Sequence, residues 1–157
     1  MKTTITMEEI LSEEIVEKLN TTLMKGNMEE LKKQMVKLFT FKSIFELHDD
    51  HIKELSECVI DAANAHNDGE WDEWCKSTEG YARRQISKYQ SRKRKIQDEA
   101  AWAKKSGVAS EEEMLDLTYR VWIFEAGYEH SKFQMYAMMC NMVQVVLAYE
   151  RKRNGAK

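Results

Sequence analysis

Glu46, His48, Asp49, Asp50, His51 and Glu54 place six potential metal ligands in nine positions. His48 and His51 stand three apart, so on a helix they share a face, and Glu54 follows one turn later. Imidazole and carboxylate are suitable ligands for a divalent ion. Glu125, Glu129 and His130 could add ligands from a later helix. Helical di-iron proteins, however, use Glu-x-x-His pairs with two further glutamates, and this chain has no Glu-x-x-His. The cluster reads as a charged helix junction. No metal and no other cofactor is assigned.

Covalent chemistry has even less support. There is no Gly-x-Ser-x-Gly, no Gly-rich phosphate loop, and no histidine next to a cysteine in the sequence. Cys58, Cys75 and Cys140 are isolated, with no Cys-x-x-Cys. They fall on or beside apolar stripes, where a thiol behaves as a small hydrophobe, and they suit a reducing cytoplasm. The residues up to Ile10 carry early acids and no long apolar core, which is unlike a secretory signal. The expectation is a cytoplasmic protein that is not an enzyme.

Two charged segments are better candidates for function. Residues 46–79 hold 11 acids and 2 bases, a net of −9, whereas 81–105 hold 9 bases and 2 acids, a net of +7. The acidic segment contains Glu70, Trp71, Asp72, Glu73 and Trp74. Aromatic anchors among carboxylates suit contact with a basic protein surface, although tryptophans this close to a turn more often serve a core. The basic segment contains Arg83, Arg84, Lys88, Arg92, Lys93, Arg94 and Lys95, with Tyr81 and Tyr89 interleaved. Cations at this density can track phosphates, and tyrosines can stack on unpaired bases. The whole chain is nevertheless acidic, with a formal net charge of −3, and no recognition motif accompanies the segment.

The elements that must carry these residues are helical. The 157 residues include no proline and six glycines, too little turn punctuation for a β-rich domain. Thr6 with Glu9, and Asn27 with Glu30, have capping-box spacing at two helix starts, and Gly26 suits a left-handed stop between them. Ile10, Leu11, Val16, Leu19 and Leu23 would form the first buried face, and Leu31, Met35, Leu38 and Phe41 or Phe45 the second. Asp49-Asp50 offers a third start, and Asn67-Asp68-Gly69 a turn. A stripe from Trp71 through Cys75, Ala82, Ile86 and Tyr89 to Ala100 follows, stopped by Gly107. Ser110 and Glu113 form the clearest capping box.

From there one helix is expected to run to about Lys152. Met114, Leu117, Val121, Phe124, Tyr128, Ser131, Met135, Met138, Met142, Val145 and Tyr149 recur at spacings of three and four, and Ser131 alone is polar. This is a heptad seam. A second apolar line, from Trp122 and Ala126 through Phe133, Ala137, Cys140 and Val143 to Leu147, makes the C-terminal half apolar nearly all round. Such a helix is either central in its own bundle or shared with another chain. Gln134, Asn141 and Gln144 interrupt the stretch and argue against membrane insertion.

The expected fold is all-α: one domain, residues 1–157, a bundle of about five helices with a long C-terminal helix carrying the seam. The expected function is non-catalytic protein–protein contact, as an adaptor, assembly subunit or inhibitor. A homodimer would form through Val121, Phe124, Tyr128, Met135, Met138, Met142 and Val145, and the acidic tryptophan segment would meet a protein partner. Small helical proteins of mobile elements have this general look, a likeness of fold class alone. The alternative is a nucleic-acid-contacting subunit of a nucleoprotein complex, using residues 83–95.

Overall fold

The computed structural model describes residues 7–40 and 42–155, with the backbone alone at Met7, Lys42, Ser43 and Arg153. Thr6 of the first expected capping box, and Phe41, lie outside the described residues. The order is α1 Met7–Ile10, α2 Glu13–Lys25, α3 Met28–Phe39, a 3-10 turn Lys42–Glu46, α4 Asp49–Asn67, α5 Trp71–Ser106, α6 Glu111–Ala126 and α7 Tyr128–Gly155. No strand occurs among the described residues.

Most boundaries follow local chemistry. Asn27 caps α3 by accepting from the Glu30 N–H at 3.2 Å, and Ser110 and Glu113 cap α6 reciprocally. Gly26 and Gly107 end α2 and α5 in the left-handed conformation. Two expected starts move. The first helix is split, because Ser12 caps α2 by accepting from the Ile15 N–H. At α4 the cap is His48 rather than the Asp49-Asp50 pair, its Nδ1 accepting from the Asp50 N–H at 3.4 Å.

One buried cluster holds the bundle together. It takes Leu19 from α2, Leu31 and Met35 from α3, Ile52, Leu55 and Val59 from α4, Trp71, Cys75 and Ala82 from α5, and Met135, Met138, Met142, Val143 and Val146 from α7. Helix α7 is thus central in its own bundle. Helix α6 contributes nothing to this core. It packs on the distal half of α5, where Tyr89, Ala103 and Leu117 are the buried residues of the two helices. At 36 residues α5 is about 54 Å long, so it serves both parts of the molecule.

The expected single C-terminal helix is broken at Gly127. Its N–H still donates to the Ile123 carbonyl at 2.9 Å, but φ −100° and ψ −157° then take the chain out of the helix. A Cβ at 127 would lie 2.8 Å from the Ile123 carbonyl oxygen, a backbone atom that cannot swing aside. The break leaves the Phe124 carbonyl without its helical donor, and the Tyr89 hydroxyl of α5 donates to it instead. The Tyr89 ring stacks on Phe133 with centroids 4.7 Å apart and lies 5.6 Å from Phe124, so one tyrosine joins α5, α6 and α7.

Replacing Gly127 by alanine should cost on the order of 1–3 kcal/mol through that backbone clash. Urea denaturation tests this, and an unchanged midpoint would show that the bend accommodates a Cβ.

Candidate interaction site

The expected acid and histidine cluster is divided by the fold. His51 lies on the inner side of α4, where its Nδ1 is 2.7 Å from the Ser131 hydroxyl of α7. The same hydroxyl accepts from the His48 backbone N–H at 2.7 Å. Both bonds are satisfied when Ser131 donates to Nδ1, which leaves the neutral ring's proton on Nε2. Nε2 is buried and has no hydrogen-bond partner among the described residues. The Tyr128 ring packs 4.9 Å from His48 and 4.4 Å from His51. A serine beside a histidine can be a nucleophile and its base. Here Ser131 is 5% exposed and His51 1%, so the pair is shielded from solvent. It is a joint between helices. Among the described residues no three of His, Cys, Asp and Glu converge to hold a metal ion.

The thiols are likewise poor nucleophiles. Burial, with Asp61 and Glu54 nearby, pushes Cys58 up to about 12. Burial beside Asp72 and Glu79 pushes Cys75 up to about 11. Neither forms an appreciable thiolate near neutrality.

The acidic tryptophan segment separates into core and surface. Trp71 is buried in the bundle and stacks on Trp74, with centroids 5.2 Å apart and an interplanar angle of 5°. Trp71 is therefore not an exposed anchor, whereas Glu70, Asp72 and Glu73 are exposed and Trp74 is half-buried. Helices α4 and α5 form a shallow cleft lined by Glu54, Glu57, Asp61, Trp74 and Tyr81, which continues past Asp68, Glu70 and Glu73. Burial raises the carboxyls of Glu54 and Asp61.

The basic segment lies along α5. Arg83 is paired with Glu79 at 2.8 Å and Arg92 with Glu129 at 3.7 Å, and the Lys93 ammonium sits 6.0 Å from the centre of the Tyr89 ring. Among the described residues, Arg84, Lys88, Arg94 and Lys95 have no carboxylate within 4.0 Å. Lys88, Lys95 and Trp102 recur every seven residues and so share one side of α5, on which Trp102 is 66% exposed.

Of the expected dimer seam, Met135, Met138 and Met142 are taken up by the chain's own core. Val121 and Phe124 are half-buried, and Tyr128 and Val145 are exposed. The largest apolar exposure on α6 lies elsewhere. Leu115, Tyr119 and Trp122 are 71%, 60% and 55% exposed, and Tyr119 stacks on Trp122 with centroids 6.0 Å apart. Their spacing of four and three puts them on one line, roughly opposite buried Leu117. Trp122 heads the second apolar line of the sequence. The spacing 115–119–122 was the signal for this separate stripe.

Burial holds His51 below its ordinary 6.5, as do the neighbouring charges of His48 and Lys132, while Asp50 and Glu129 oppose the shift. The unfolded chain therefore takes up the proton at higher pH than the folded one. The His51 contribution is full above pH 6.5 and is lost as pH falls through the folded value. His51→Gln should remove that part of the slope between urea midpoints at about pH 7.5 and about pH 5.5. Ser131→Ala should cost about 1–3 kcal/mol at neutral pH, because it strands a buried amide and a buried imidazole. No family model, no curated relative and no solved structure matches this chain.

Proposed function

We propose that the protein is a non-catalytic assembly subunit or adaptor that works by protein–protein contact through the outer face of α6. The observation that carries this reading is the Leu115–Tyr119–Trp122 stripe, large and apolar, on a helix that takes no part in the core. Scattered exposed apolar residues are ordinary, but residues aligned on one helix face are a usual form of recognition surface. The inaccessible Ser131–His51 pair and the protonated thiols of Cys58 and Cys75 support a role without covalent chemistry. Free thiols at Cys58, Cys75 and Cys140 support a cytoplasmic setting. No helix among the described residues is long and apolar enough to cross a membrane.

A second reading is favoured by Lys88, Lys95 and Trp102 sharing one side of α5, with Arg84 and Arg94 also free of carboxylates among the described residues. Cations beside an exposed indole suit single-stranded nucleic acid. The two readings separate by substitution. A photo-crosslinking amino acid at Tyr119 should capture a protein in cells, and Trp122→Ser should abolish the same capture from a crosslinker at Leu115. Should Lys88→Glu with Lys95→Glu instead remove a salt-sensitive complex with a single-stranded oligonucleotide, while Tyr119 captures nothing, the second reading replaces the first.

A further inference from the structure

The hairpin of α5 and α6 carries opposite charges on its two arms. Residues 88–105 hold seven bases and two acids, a net of +5, while Glu111–Ala126 holds five acids and one base, a net of −4. On α6 the acids bracket the apolar stripe. Glu111 and Glu112 sit one turn before Leu115, Glu125 one turn after Trp122, and all three are exposed. On α5 the exposed aromatic is bracketed by cations, with Lys95 two turns before Trp102 and Lys105 one turn after it. Of the two carboxylates one turn before Trp102, Glu99 is 3.9 Å from Arg120 of α6, and Asp98 is exposed. The α6 stripe thus asks for an apolar contact with basic flanks, and α5 of the same chain presents an exposed indole between Lys95 and Lys105.

Within one molecule the two surfaces cannot meet, because the stripe faces away from the α5 that packs on Leu117. We propose that a second copy of this chain covers the stripe: α6 of each copy packs on the Lys88–Lys95–Trp102 side of the partner's α5. Such a pairing is two-fold and reciprocal, so every favourable contact occurs twice. Burying the stripe supplies the affinity, and the acid-to-base match fixes which arm meets which. Direct pairing of α6 with α6 would set acids against acids around the same stripe. This inference rests on the α6 reading above and goes further by naming the occupant.

Light scattering on the purified full chain tests it. The expected mass is twice 18.5 kDa. Leu115→Ser with Trp122→Ser should weaken dimerisation tenfold or more, with helicity by circular dichroism unchanged because both side chains are exposed. Lys88→Glu with Lys95→Glu should also give monomers. Adding Glu111→Lys, Glu112→Lys and Glu125→Lys to that variant should restore the dimer, which loss of folding would not permit. A photo-crosslinker at Tyr119 should join to α5 of the second copy. A monomer at all concentrations, a dimer indifferent to the stripe, or failure of the charge swap overturns the pairing. If the Tyr119 crosslinker then captures a different protein in cells, the α6 reading survives and the self-pairing does not. If it captures no protein at all, both fall.

Discussion

One serine hydroxyl sets the geometry on which the rest of this molecule depends. Ser131 meets the first turn of α4 twice, at the His48 amide and at the His51 ring, both at 2.7 Å. Polar groups buried there are costly unless paired, so α7 has one favoured position along α4. Ser131 is also four residues beyond Gly127, and its own N–H closes the first turn of α7 on the Gly127 carbonyl at 3.1 Å. Fixing Ser131 therefore fixes the bend. The bend in turn sends α7 through the core and α6 away from it, with Tyr89 satisfying the carbonyl that the break exposes.

In the sequence Ser131 is the one defect in an apolar seam, and in the structure it is the anchor. The 3-4 spacing identifies the buried side of the C-terminal helix correctly over Met135, Met138 and Met142. It is blind to the break, because a one-residue interruption at Gly127 leaves the phase of the pattern almost unchanged. Periodicity reports which side of a helix is apolar, and not the direction in which the helix travels. Local signals were legible for the opposite reason. The Ser110–Glu113 box and the stops at Gly26 and Gly107 depend on backbone groups within a few residues. The start of α4 was misplaced by one residue because His48 is held by a serine 83 positions away. Trp71 carried two signals: acids surround it in sequence, but it also heads the Trp71–Cys75–Ala82 stripe, and that stripe is the one the core takes up.

Charge was legible as composition and much less so as function. Two of the seven cations in 83–95 are answered by Glu79 and Glu129 of the same chain, and a third lies over Tyr89. Exposed pairs of this kind contribute about 0–1 kcal/mol and do not hold the fold together. What they change is the surface that remains, a narrower set of cations on one side of α5 in place of a uniformly basic helix.

The contrast between α6 and α7 carries the functional argument. Each carries apolar residues on more than one side, α6 through the separate stripe Leu115, Tyr119 and Trp122, and a helix with two apolar sides needs two neighbours. Helix α7 has them, since α4 and α5 both pack on it. Helix α6 has α5 on one side and solvent along Leu115, Tyr119 and Trp122 on the other. A side chain of that size gains roughly 1.5–3 kcal/mol when it is fully buried. The stripe therefore leaves several kcal/mol ungained in the single chain. A helix that needed only to be solvated could carry lysine or glutamate at those positions at no structural loss. Exposed leucine, tyrosine and tryptophan on one line are the ground on which we propose that this face of α6 is covered.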